Sequence, residues 1–175
     1  MDDRAVKRVW WKRRWVVCVA LLVALAVAGG LWLASVVRDA RAFYTTVHAR
    51  QIHSALMYYA SQHQEQLPSG PEWRQAFLKR SPQLEGLFRS PMADRLHEQS
   101  YCIVEGWTET LVHERNINRD EHILVFENPA STDAHELAIV TWSGVSWRLP
   151  REVVLRRLAA TRTGDGKPVT WEGAH

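Results

Sequence analysis

Residues Trp15 to Val37 read WVVCVALLVALAVAGGLWLASVV, 23 consecutive residues without a charge. At ~1.5 Å per helical residue the run is roughly 34 Å long, enough to cross a hydrocarbon core of about 30 Å. The sequence therefore predicts a membrane helix over 15–37, with the lipid bilayer as its partner. The rest of the chain must fold around a core of its own.

The flanks orient that span. Arg4, Lys7, Arg8, Lys12, Arg13 and Arg14 precede it, whereas Arg38 and Arg41, with Asp39 between them, follow. The positive-inside bias predicts a basic cytoplasmic tail over 1–14 and an exterior chain from 38 onward. Trp10, Trp11 and Trp15 mark the inner interface and Trp32 lies near the outer one, levels that amphipathic indoles prefer. Ala26-Val27-Ala28 has the small-residue pattern of a signal-peptidase site, but the apolar run continues nine residues beyond it. A cleaved signal has an apolar stretch of only about 7–15 residues, so an uncleaved anchor is predicted.

Charge and cysteines bound the remainder. Residues 1–14 carry six basic and two acidic groups, and with a whole-chain charge of +3 the rest nets −1. The basic tail suits anionic headgroups, and the folded part offers no positive field for nucleic acid. Cys18 lies in the span and Cys102 far beyond it, so no disulfide framework is available. Cys102, within Tyr101-Cys102-Ile103-Val104, reads as a small buried hydrophobe.

Beyond the span, residues 38–66 contain neither Gly nor Pro, and Thr45, Ala49, Ile52, Leu56, Tyr59, Ala60 and His63 recur at helical spacing. An amphipathic helix continuous with the span is predicted, ended by Leu67-Pro68-Ser69-Gly70-Pro71. A short helix over 72–80 follows, with Trp73, Phe77 and Leu78 inward. Residues 81–99 read as irregular. Strand character returns at Tyr101–Val104, at His122–Glu127, and in a hairpin of Leu137–Trp142 and Val145–Leu149 around Ser143-Gly144. A two-residue turn there puts Ala138, Val140 and Trp142 opposite Leu149, Trp147 and Val145 on the face that covers the helix, with Ser146 and Arg148 pointing away. A last helix, Arg151–Thr161, presents Val154, Leu155 and Leu158, and the Gly-rich polar tail 163–175 reads as disordered. The fold class expected is α+β, with an exterior domain over 38–162.

Several local phrases then resemble one group of proteins in the order expected of it. Ala55-Leu56-Met57-Tyr58-Tyr59-Ala60 runs into Gln66-Leu67-Pro68, Ser90-Pro91-Met92-Ala93-Asp94 parallels a C-P-S-D loop with Ser90 in the cysteine's place, and Ser100-Tyr101 precedes Val104-Glu105-Gly106. Ile123–Pro129 parallels a V-L-V-Y-E strand, and Ala138–Trp147 a closing hairpin. Together these cover roughly residues 55–158 and resemble uncharacterised bacterial pilin-like and pseudopilin-like proteins. The resemblance implies an amphipathic helix packed on a small antiparallel sheet, displayed outside the bacterial inner membrane. Pilin precursors carry a Gly followed by an apolar helix with Glu at its fifth position. Here Gly30-Leu31 lies inside the span and Ser35 takes the fifth place, which implies neither prepilin-peptidase processing nor a filament.

His48 and His53 are five apart and so on different helix faces, and His97, His113, His122 and His135 are scattered without metal-ligand spacing. Glu127 and Glu105 each close an apolar strand, and neither has a visible catalytic partner. Trp107, Trp142 and Trp147 read as core rather than as a sugar platform, and Trp171 stands alone in the tail. No catalytic, cofactor-binding or metal residues are expected, no small-molecule substrate is indicated, and no nucleophile or phosphate loop stands at working spacing. The expected role is a non-catalytic, membrane-anchored structural or interaction protein of the cell envelope. The alternative is an envelope module that recognises a polysaccharide or protein through exposed aromatics and the loops 81–99 and 106–120.

Overall fold

The computed structural model describes residues 3–68, 73–80, 82–93 and 100–170. Helix α1 spans Asp3–Gln62 and helix α2 spans Trp73–Arg80, followed by a 3-10 turn at Pro82–Phe88. Strand β1 is Tyr101–Ile103, α3 is Glu109–Glu114, β2 is Ile123–Glu127, β3 is Glu136–Thr141, β4 is Ser146–Pro150 and α4 is Arg151–Ala160. The protein is thus α+β: a long N-terminal helix and a small four-stranded antiparallel sheet in the order β1-β2-β3-β4. The chain divides into two compact units, Met1–Ala40 and Arg41–His175.

In the first unit, Trp15–Val37 is helical throughout and every side chain is exposed except the half-buried Ser35. The helix is long and apolar enough to cross a membrane. The side chains of 1–13, Trp10 and Trp11 among them, lie outside the description.

In the second unit the helical periodicity decides what is buried. Thr45, Ala49, Ile52, Leu56 and Ala60 are buried on α1, while the expected Tyr59 and His63 are only half-buried at the edge of the stripe. Each fully buried Ile or Leu here contributes about 1.5–3 kcal/mol by leaving water. The helix stops at Gln62, ahead of the Leu67-Pro68 breaker. Gln64 takes a left-handed φ of 54°, and the Glu65 amide reaches back 2.9 Å to the Ala60 carbonyl. That bond satisfies a carbonyl at the helix end and leaves Leu67 free to enter the core. Phe77 of α2 is buried as expected; the side chain of Trp73 is outside the description.

Pairing fixes the two faces of the sheet. Tyr101 pairs with Glu127, Phe126 with Ile139, and Ala138 with Arg148. Tyr101, Glu127, Ala138 and Arg148 therefore form one row across four strands, on the face toward α1. The Tyr101 hydroxyl donates 3.0 Å to the Thr45 carbonyl at one end of the row, and Arg148 Nη1 reaches the Ala42 carbonyl at 3.5 Å at the other. The alternate residues Cys102, Phe126, Leu137 and Ile139 are buried on the other face. Helix α4 packs against β3 and β4, with Val154 and Leu158 buried and Leu155 only half-buried.

The hairpin departs from its expected register by one residue. Val140 faces Ser146 and Ile139 faces Trp147, because the turn has three residues, not two. Thr141 N–H bonds the Val145 carbonyl at 2.9 Å, Gly144 N–H bonds the Thr141 carbonyl at 3.0 Å, and Gly144 has a φ of +86°. This is a type I turn closed by a left-handed glycine. A one-residue slip exchanges the faces of a strand, so Arg148, expected outward, points inward, and Trp147 is 38% exposed. The tail differs too: Thr163–Lys167 forms a turn, Arg162 bridges Pro168, and Val169 joins the core, where composition suggests disorder. Residues 171–175, including Trp171, lie outside the description.

Candidate functional site

The row across the sheet carries the most concentrated buried chemistry of the second unit. Glu127 is fully buried at the end of β2, where strand alternation points it at α1. Ser90 Oγ donates to Glu127 Oε1 at 2.6 Å, the Ala138 amide donates to Oε2 at 3.1 Å, and Arg148 Nη1 stands 3.7 Å from Oε2. Ser90 also accepts the Met92 amide at 3.1 Å and lies 3.4 Å from Thr45 Oγ1. Arg148 Nη2 donates to the Glu136 carbonyl at 2.6 Å. Burial, and next the Glu127 charge, push the Tyr101 phenol well above its ordinary pKa.

This arrangement can hold a charge but offers no way in. A serine beside a carboxylate has the composition of an activated nucleophile, yet Ser90 is 3% exposed and Glu127 0%. Two hydrogen bonds and the nearby guanidinium offset part of the cost of burying the carboxylate. The cluster ties α1, the 90–92 turn and all four strands together, a structural role. Sequence reasoning singled out Glu127 as a strand-end carboxylate and Ser90 and Tyr101 only as parts of phrases. Arg148 was missed, because its inward direction depends on the hairpin register.

The remaining residues weighed from the sequence are dispersed. His53 Nε2 lies 3.0 Å from the Trp142 carbonyl, and burial lowers its pKa. His48 is half-buried, His63 stacks on Tyr59, and His113 and His135 are exposed; His97 is outside the description. Among the described residues no group of three or more His, Cys, Asp or Glu could hold a metal ion. Cys102 is buried and Cys18 exposed. Trp142 is buried, its Nε1 donating to Glu109 Oε2 at 3.0 Å, and Trp107 is buried with Nε1 donating to the Arg162 carbonyl at 2.9 Å. These two and Trp147 therefore make no shared exposed platform. Glu105 contributes its carbonyl, which accepts the Gly164 amide at 2.9 Å.

Two of the hollows on the second unit are lined by Trp, Tyr or Phe. One, of about 660 Å³, runs beside α1 between Ala55, Tyr58, Tyr59, Phe77, Leu84 and Leu87. The other, of about 620 Å³, lies among Trp107, Arg115, Asn118, His122, Arg157 and Arg162. Neither was foreseen, since each draws on residues far apart in sequence. Comparison with known proteins finds no matching family model, no similar curated protein and no similar solved structure.

Proposed function

We propose that this chain is a membrane-anchored structural or interaction protein of the bacterial cell envelope. It is held by residues 15–37, with 1–14 in the cytoplasm and a non-catalytic, pilin-like unit outside the inner membrane. The observation that carries this reading is the uncovered apolar helix. Fourteen large hydrophobic side chains between Trp15 and Val37 are each 43–69% exposed. At ~1.5 kcal/mol or more apiece, leaving them in water costs on the order of 20 kcal/mol, more than a domain's whole stability. A bilayer removes that cost, and the excess of basic residues ahead of the run favours the N-in orientation.

The pilin-like plan is supported by the element order, an amphipathic helix with a buried stripe followed by an antiparallel sheet. The phrases that carry the resemblance also meet in space, since Ser90, Tyr101 and Glu127 share one buried cluster. The test is fractionation of native membranes followed by intact-mass measurement. The expected result is a chain that resists alkaline extraction and retains residues 1–28. A chain beginning at Gly29 overturns the anchor, and antibody-labelled filaments in sheared material overturn the non-polymerising role.

An envelope binding module is the second reading. The tryptophans do not favour it, but the arginine-lined hollow does.

A further inference from the structure

Trp107 anchors one wall of that hollow. Its indole is locked by the bond to the Arg162 carbonyl, His122 meets its ring edge-to-face at 4.6 Å, and the Arg115 guanidinium lies over it at 5.3 Å. The Asn118 carbonyl accepts the amides of Glu121 and His122, which holds the 118–122 turn against the same wall. Arg157 enters from the last turn of α4. Arg162 is committed to the carbonyls of Ala159 and Thr161. Arg115 and Arg157 pair with no carboxylate among the described residues, and Glu121 is the lone acid in the lining. His122 Nε2 is enclosed and has no hydrogen-bond partner. A buried polar atom without a partner costs stability, and this one belongs to a side chain in the same lining as the two arginines.

We infer that this hollow binds the oxyanion of a small ligand, a carboxylate or phosphate, through Arg115, Arg157 and His122. Guanidinium groups suit such anions because their planar donor forks match the oxygens. The hollow is larger than a bare anion needs, and Asn118 and Glu121 supply a donor and an acceptor suited to hydroxyls. Acidic saccharides and free phosphate share the required chemistry. The inference deepens the binding-module reading and rests on it, and it does not depend on the anchor.

The test uses the full chain in a non-sugar, nonionic detergent. Calorimetry and the His122 imidazole resonances are followed during titration with methyl glucuronoside, glucose 1-phosphate, inorganic phosphate and neutral methyl glucoside. The expected result is saturable binding of the anions that moves the His122 resonances and weakens with salt, with none for the neutral glucoside. Tighter binding of the sugar acids than of inorganic phosphate assigns the site to acidic saccharides; equal binding assigns it to free phosphate. Arg115→Gln with Arg157→Gln should weaken binding tenfold or more, and Arg156→Gln, on the same helix but outside the lining, should leave it unchanged. Should the double variant fail to fold, Arg157→Gln alone removes a side chain that pairs with no carboxylate among the described residues and should still weaken binding several-fold. Undiminished binding in a folded variant overturns the site but leaves a binding module possible elsewhere. No response to any anion overturns the inference.

Discussion

Residues 15–37 and 45–60 of α1 draw on the same kinds of apolar residue, yet the first stretch is uncovered and the second supplies part of a core. Leu25 is 69% exposed and Leu56 is 0%. The difference lies in the residues between. Arg50, Gln51 and Ser54 are exposed on the second stretch and leave its buried residues on one stripe, which a single sheet can cover. The first stretch has no such polar face, and one protein surface cannot cover a helix that is apolar all round. Polar placement, more than apolar content, therefore sets which solvent a helix demands.

A matched pair of substitutions breaks this comparison most sharply. Leu56→Asp should destabilise the second unit by about 3–5 kcal/mol, because it removes a core contact and buries a charge. An unchanged melting temperature for the detergent-solubilised chain would show that Leu56 is not core. Leu25→Asp should leave that melting temperature alone while raising the cost of membrane insertion by about 3 kcal/mol, read as loss from the membrane fraction.

A smaller effect is expected where the helix is held by polar contacts. Glu127→Ala should cost roughly 3 kcal/mol, since the buried Ser90 hydroxyl and Ala138 amide lose their acceptor and Arg148 loses the charge beside it. Glu127→Gln, which keeps an acceptor oxygen, should cost less. Equal denaturant midpoints for both variants and the parent would remove the row across the sheet from the account of stability.

The smallest effect is a dependence on pH. Burial depresses the pKa of His53 and His122 below their ordinary 6.5. Below pH 6.5 the unfolded chain therefore binds more protons than the folded one, and stability falls until the lower folded values are passed. The full contribution is present above pH 6.5. Melting temperatures at about pH 5 should lie below those at about pH 7.5, and a flat profile would mean that neither imidazole is desolvated.

The elements were more legible in the sequence than their junctions. The α1 stripe follows from spacing of three and four, and the strands from apolar runs bounded by turn residues. The hairpin register was not legible, because Ser143-Gly144 fits a two-residue turn as well as the three-residue one adopted. A Cβ on Gly144 would stand 3.2 Å from the His53 ring, a contact made across the fold. Residues 163–170 depart from the expectation of composition for a similar reason. A Cβ on Gly164 would sit 1.6 Å from the Gly106 carbonyl oxygen, so this glycine permits close backbone packing where composition suggests looseness. The arginine hollow and the Ser90–Glu127 bond likewise join distant residues, which local pattern cannot bring together.

The row from Tyr101 to Arg148 also sets a load path. Gly144 lies beside His53 and Arg148 beside Ala42, so β4 runs alongside α1 in the opposite direction. A force entering α1 at Arg41 reaches the Ala42 and Thr45 carbonyls at once and passes to β4 through Arg148 and to β1 through Tyr101. Antiparallel ladder bonds lie perpendicular to their strands, so a pull along β4 loads its bonds to β3 together. A pull along α1 thus reaches both outer strands of the sheet at once.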